Sequence, residues 1–200
     1  VTEDILLKLT ISLSKEYNIP NLCLAGGVAL NCVANGKILK DKTFENIWIQ
    51  PAAGDAGGSL GAALGVWHIE LKKDRKVINK KDSMMGSYLG PEYSENEIEK
   101  YLKMAGAKFD VYNENEIIEK TCVGLKNGKA IGWFQGRMEF GPRALGSRSI
   151  IADARSKTMQ KNLNLKVKYR ESFRPFAPSV LEEEVENWFD INLKSPYMLL

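Results

Sequence analysis

Two short apolar runs that empty into glycine turns constrain this chain more than any other feature. Leu22-Cys23-Leu24-Ala25 runs straight into Gly26-Gly27-Val28-Ala29-Leu30-Asn31, and Ile47-Trp48-Ile49-Gln50 leads through Pro51-Ala52-Ala53 into Gly54-Asp55-Ala56-Gly57-Gly58. Each run has the length and the Gly or Pro border of a buried strand, and a helix-like pattern follows each turn. Strand, turn and helix, twice over, predict an α/β fold. A double glycine before a helix starting near Val28 has the layout of a phosphate loop, where freed backbone N–H groups and the helix dipole face an anion. Close packing of a helix on its sheet accounts for the same glycines, so Gly26 and Gly27 carry both readings. Asp55, between glycines at a strand end, suits a ligand for a metal or a magnesium–nucleotide complex and suits a helix cap equally. Gly57, Gly61 and Gly65 recur at helical spacing and predict the close approach of a neighbouring helix.

A second chemistry concentrates between residues 131 and 179. The apolar run Ala130 to Phe134 opens into Gly136-Arg137-Met138-Glu139-Phe140-Gly141-Pro142-Arg143-Ala144-Leu145-Gly146-Ser147-Arg148-Ser149. Lys166-Val167-Lys168-Tyr169-Arg170-Glu171-Ser172-Phe173-Arg174-Pro175-Phe176-Ala177-Pro178 then repeats the recipe with lysines and aromatics. Glycines admit close backbone approach, and arginine forks match carboxylate or phosphate oxygens. A solvated basic loop is the plain alternative. The Gly-Pro pair and the flanking Phe140, Phe173 and Phe176 favour a pocket for a polyanion. Arg143 and Arg148 are spaced to reach one ligand from the loop, with Lys168 and Arg174 closing the opposite side. Arg137 and Arg170 carry two readings, ligand contact or ion pairs with Glu139 and Glu171.

Composition narrows the classes of function. Of 200 residues, 44% are hydrophobic and 26% charged, as in ordinary globular chains, and the net charge of +3 is too small to argue for nucleic acid. Cys23, Cys32 and Cys122 lack metal-ligand spacing, so buried free thiols in a reducing, cytoplasmic setting are expected. No run approaches the roughly 18 apolar residues of a membrane span, and neither a span nor a signal peptide is expected. The start at Val1 and the apolar end Tyr197-Met198-Leu199-Leu200 suggest an internal piece of a longer protein.

Helices are expected on Ile5, Leu6, Leu9 and Leu13 up to Pro20, after a capping box at Ser94, and from Asn113 with Ile117, Ile118, Cys122 and Leu125 on one face. Further helices are expected through Met159 and Leu163, and over Leu181–Phe189 with Val185, Trp188 and Phe189 packing. The charged stretch Lys72 to Asp82 predicts a domain boundary near 76–86.

These motifs also carry a resemblance. GRMEFGPRALGSRSI and NLKVKYRESFRPFAPSVL resemble the carboxy-terminal domain of the O-carbamoyltransferases that decorate nodulation factors and antibiotics, and LAGGVALNCVANGKI with PAAGDAGGSLGAALG resembles their amino-terminal domain. The resemblance implies the end of a Kae1-like, actin/hexokinase-type ATPase domain over residues 1–75, a linker over 76–93, and most of a YrdC-like α/β domain over 94–200. It implies ATP-dependent transfer of a carbamoyl group from carbamoyl phosphate, through carbamoyl adenylate, to a hydroxyl of a small molecule or glycan. It assigns Gly26, Gly27 and Asn31 to the nucleotide site and Asp55 to a divalent metal, expected as Fe2+, whose other ligands lie in the missing amino-terminal half of the polypeptide. ATP with Mg2+ is the expected cofactor set. Arg143, Arg148, Lys168 and Arg174 are expected to carry catalysis, and Arg137 and Arg170 to assist in binding. His68 is read as structural, and the piece alone is expected to be inactive in transfer. Threonylcarbamoyl-type tRNA modification and a non-catalytic nucleotide-binding regulator are the alternatives. The acceptor and the oligomeric state are not marked by any residue.

Overall fold

β1 (Asn21–Leu24) and β2 (Asn46–Ile49) lie side by side in parallel, with Leu22 opposite Ile47 and Leu24 opposite Ile49. A computed structural model describes residues 1–76, 82–191 and 193–200. α1 (Thr2–Tyr17) begins with Glu3 and Asp4 in its first turn and stops where Asn18 adopts the left-handed conformation, two residues before Pro20. α2 (Cys32–Asp41) crosses over between β1 and β2 as a parallel pair requires. α1, α2, Phe44 and the strands enclose one small core of Leu22, Ile38 and Phe44, against which Leu6 and Ile47 pack. Within α1 the buried residue is Thr10, with Leu6 and Leu13 half-buried, while Ile5 and Leu9 are exposed. The inward face is therefore turned about one residue from the expected stripe. Thr10 tolerates burial because its hydroxyl donates to the Leu6 and Leu7 carbonyls, both at 3.0 Å.

The chain forms two compact units, each assembled from separate stretches of sequence. The first comprises Val1–Gly90, Met138–Leu145 and Ser195–Leu200; the second comprises Pro91–Arg137 and Gly146–Lys194. In the first unit, a second core gathers Ala29, Ile49, Ala53, Met84, Tyr197 and Leu199, with Phe140 and Leu145 packed against it. Of the expected bridge, residues 77–81 lie outside the described residues. Its continuation from Asp82 to Gly90 is packed: Met84 and Ser87 are buried, and the Ser87 carbonyl accepts from the N–H groups of Phe140 at 2.6 Å and Leu89 at 2.8 Å. Gly90 N–H donates to the Met138 carbonyl at 2.9 Å, so the 138–145 arm is stitched into the first unit.

α3 (Asp55–Gly65) continues into a π-helical turn, Val66–Glu70, where His68 Nδ1 pairs with the Lys73 carbonyl at 2.8 Å. At Gly57 the constraint is local, and among the described residues no neighbouring helix approaches Gly61 or Gly65. A Cβ at Gly57 would lie 2.0 Å from the Ala52 carbonyl oxygen of its own loop, whereas the corresponding space at Gly61 and Gly65 is open.

In the second unit, α4 (Glu95–Met104) and α5 (Glu114–Lys126) each begin with a complete capping box, Ser94 with Glu97 and Asn113 with Glu116. β3 (Ile131–Phe134) pairs antiparallel with β4 (Arg148–Ile151), Ile131 opposite Ile151 and Phe134 opposite Arg148. β4 is a finding: the β-branched pair Ile150-Ile151 turns the end of the arginine loop into a strand. α6 (Met159–Lys166) buries Met159, Leu163 and Asn164. The helix expected over 181–189 is broken into a 3-10 turn, Glu182–Glu184, and the short α7 (Val185–Trp188), with Trp188 exposed. Neither α4 nor α5 has a buried residue, and Ile117, Ile118 and Cys122 are exposed. A two-stranded sheet covers too little area to bury two helices. The cysteines are free, as expected, but not buried: Cys23 and Cys122 are exposed and Cys32 half-buried. Mixed α/β architecture thus holds in both units. Among the described residues no helix is long and apolar enough to cross a membrane.

Candidate anion-binding sites

The first unit brings the glycine turn and Asp55 to one end of the parallel pair. Both loops leave the carboxyl ends of adjacent strands, where ligands of open α/β sheets bind. Gly26 holds φ 97° and ψ 161°, a conformation natural only to glycine. Its N–H donates to the Ala53 carbonyl at 2.7 Å, tying the two loops together. The turn is braced from behind: Asn35 Nδ2 donates to the Ala29 carbonyl at 2.8 Å and to the Leu199 carbonyl at 2.9 Å, and Arg143 Nη2 donates to the Leu30 carbonyl at 2.9 Å. Among the described residues, no atom beyond the chain neighbours lies within 4 Å of a Cβ built on Gly26 or Gly27. The helix expected near Val28 starts later, because Gly27–Leu30 forms a 3-10 turn and Asn31 caps α2 by accepting from Ala34 N–H at 3.2 Å. Asn31 thus has its side-chain oxygen engaged in the cap.

Asp55 is the first residue of α3, with Gly54 as the cap, so the cap reading of its carboxylate does not hold. The side chain is exposed and makes no hydrogen bond or ion pair among the described residues. It fits a single donor facing solvent at a helix start. Among the described residues no three His, Cys, Asp or Glu side chains gather as a metal-ion site. The Asp55 carboxylate is one donor of the about three or more protein ligands that a metal centre needs.

The arginines of the Gly136–Ser149 loop fall in different units, Arg143 in the first and Arg148 in the second. Arg143 has one guanidinium nitrogen on Leu30, and its buried Nε has no partner among the described residues. Arg148 closes the β3–β4 loop. Its Nη1 donates to the carbonyls of Gln135 at 2.8 Å and Ser147 at 3.0 Å, its Nη2 to that of Gly136 at 3.1 Å, and its guanidinium lies 3.5 Å over the Phe134 ring. Arg137 pairs with Glu92 at 3.5 Å. Glu139 is buried in the first unit and accepts from the Leu145 N–H at 2.7 Å.

The 166–176 segment presents the remaining cations. Lys168 is exposed, and its ammonium has no partner among the described residues. Arg174 Nε donates to Glu171 at 2.7 Å across the surface. The Glu171 carboxyl is held below its ordinary range by its own backbone N–H and then by Arg174. Arg170 does not pair with Glu171: its Nε donates to Asn164 Oδ1 at 2.6 Å, and its guanidinium lies 4.9 Å from the Phe176 ring centre. Sequence reasoning missed Asn164 and Gln160, the α6 residues that hold this segment. The available signal was an asparagine between Leu163 and Leu165, a polar residue inside a helix that had to bury its apolar face.

Comparisons agree across both ends of the chain. Residues 1–64 match a family model described as "Carbamoyltransferase N-terminus", and residues 123–200 one described as "Carbamoyltransferase C-terminus". An uncharacterized protein of Synechocystis is 57% identical over 202 residues, covering 100% of this chain and 33% of that relative. Nodulation protein NolO of Bradyrhizobium diazoefficiens is 45% identical over 177 residues, 88% of this chain and 32% of the relative. Nodulation protein U of Rhizobium fredii is 34% identical over 179 residues, 90% and 28% respectively. The chain therefore spans about a third of the length of these relatives.

Proposed function

Because the chain belongs to the carbamoyltransferase family, we propose that the protein of which it forms a part transfers a carbamoyl group from carbamoyl phosphate to a hydroxyl through carbamoyl adenylate. The observation that carries this reading is the match of both carbamoyltransferase models on one chain. The folds proposed for the two units are Kae1-like for the first and YrdC-like for the second. The chemistry balances in three steps. Water cleaves carbamoyl phosphate to carbamate and phosphate. Carbamate oxygen then attacks the α-phosphorus of ATP, forming the mixed anhydride and expelling pyrophosphate. Finally the acceptor hydroxyl attacks the carbamoyl carbon, its proton is lost, and AMP leaves with the electron pair of the broken C–O bond.

The second unit is assigned the adenylate step. Lys168 and Arg174 are assigned to bind phosphate oxygens as charge builds on them. Arg148 holds the β3–β4 loop in shape, and Arg137 and Arg170 are assigned to supply further positive charge. The first unit is assigned the transfer step, with nucleotide against Gly26 and Gly27 and with Arg143 bracing that turn. Asp55 is assigned as one donor to a divalent metal, which when bound would polarise the acceptor oxygen. The other donors are not supplied by the described residues.

The test uses full-length protein with ATP, Mg2+ and carbamoyl phosphate. Pyrophosphate release that depends on carbamoyl phosphate is expected, together with carbamoylated product when an acceptor is present. Asp55→Asn is expected to abolish product while leaving pyrophosphate release largely intact. Equal loss of both, or of neither, refutes the division of labour.

A further inference from the structure

We propose that Asn164 is a positioning residue for the anion site of the second unit, with Gln160 as its auxiliary, the two carboxamides of α6 clamping the backbone that carries Lys168, Arg170 and Arg174. The proposal rests on the reading of that segment as the phosphate-binding element.

Asn164 is completely buried, with 0% of its surface exposed. Its Nδ2 donates to the Arg174 carbonyl at 2.8 Å and to the Ser172 carbonyl at 3.2 Å. Its Oδ1 accepts from Arg170 Nε at 2.6 Å, and its main-chain carbonyl accepts from Arg170 N–H at 3.0 Å. A carboxamide offers two N–H donors and one acceptor oxygen, and here each kind is in use. Gln160, one helical turn earlier and so on the same face, donates from Nε2 to the carbonyls of Phe173 and Arg174, both at 3.1 Å. The Arg174 carbonyl therefore receives two donors, one for each lone pair.

Residues 172–174 lie in neither a helix nor a strand, so their carbonyls have no ladder to satisfy them. α6 supplies the missing donors from side chains, while Met159 and Leu163 seat the helix itself. The chain reverses at Tyr169, which takes φ 48°, and this brings Arg170 back onto Asn164. The result fixes the main chain at Arg170 and Arg174 to a helix, leaving Lys168 and the outer face of Arg174 in solvent. Only asparagine meets all these demands at this depth. Aspartate keeps the acceptor but loses both donors and sets a negative charge against two carbonyls; leucine loses all three contacts.

The experiment uses the full-length protein and inorganic pyrophosphate as the probe, titrated calorimetrically, alongside KM and kcat for carbamoyl phosphate in pyrophosphate release. Asn164→Asp is expected to weaken pyrophosphate binding about tenfold or more and to raise KM in parallel, as loss of orientation does. Gln160→Ala is expected to weaken binding about threefold, the effect of two exposed hydrogen bonds for which water competes. A drop in folded fraction with unchanged binding per folded molecule would make Asn164 merely structural and overturn the proposal. So would a wild-type protein that does not bind pyrophosphate. Should Asn164→Asp fail to fold, Gln160→Ala decides, and unaltered binding in that variant overturns the clamp. If wild-type protein binds pyrophosphate and Asn164→Asp loses it, yet carbamoyl phosphate supports no turnover, the clamp stands and the proposed reaction falls.

Discussion

Arg148→Ala separates two roles that one arginine in a basic loop can play. As a loop closure, Arg148 joins three carbonyls, those of Gln135, Gly136 and Ser147, and covers the Phe134 ring. Hydrogen bonds from a charged group are worth about 1.5–3 kcal/mol each when buried, but Arg148 is only half-buried and water replaces much of each contact. About 0.5–1 kcal/mol per carbonyl and a similar amount for the ring give a loss of about 2–4 kcal/mol. The quantity to measure is hydrogen exchange at Gln135, whose N–H is closed against the Ser147 carbonyl at 3.0 Å. If the β3–β4 pair opens as one body, Arg148→Ala accelerates that exchange roughly 30- to 700-fold. Arg148→Lys restores the charge but not the fork, so it recovers less than half of the protection. Unchanged exchange in Arg148→Ala together with lost pyrophosphate release refutes the closure and makes Arg148 a direct ligand of the anion.

Two further perturbations address the first unit. Gly57→Ala forces a Cβ to 2.0 Å from the Ala52 carbonyl oxygen, so the Pro51–Gly58 turn must shift; a loss of about 2–4 kcal/mol in denaturant unfolding is expected, and a change under about 0.5 kcal/mol refutes the contact. Tyr197 is buried, its hydroxyl donates to Asp82 and accepts from Gly86 N–H at 3.1 Å, and burial followed by the Asp82 bond pushes its pKa up to about 12. A folded pKa above the unfolded value of about 10 means that its stabilisation is complete below pH ~10 and is lost as pH rises through about 12. Alkaline unfolding profiles of wild type and Tyr197→Phe should therefore differ in slope across that window, and parallel profiles refute the assignment.

The local elements were legible in the residues, because their causes are local. Ser94 with Glu97 and Asn113 with Glu116 specify helix starts by reciprocal hydrogen bonds within four residues. The apolar runs at Leu22, Ile47 and Ile131 form strands, and the Gly26-Gly27 and Gly54-Asp55 turns follow two of them. Membership of the carbamoyltransferase family was also readable, since long motifs survive any uncertainty about packing.

The partners of the cations were decided by tertiary structure alone. Sequence spacing joined Arg143 to Arg148 and Arg170 to Glu171, yet Arg143 braces Leu30, 113 residues away, and Arg170 turns to Asn164. A guanidinium sits on a long, rotatable stem with five donors, so its neighbours in sequence do not determine which acceptor it meets. The allotment of Met138–Leu145 to the first unit has the same origin. It depends on main-chain bonds from Phe140 to Ser87 and from Gly90 to Met138, and every backbone except proline's offers the same donor and acceptor. Such pairings leave no mark in side-chain identity, and only the folded chain selects them.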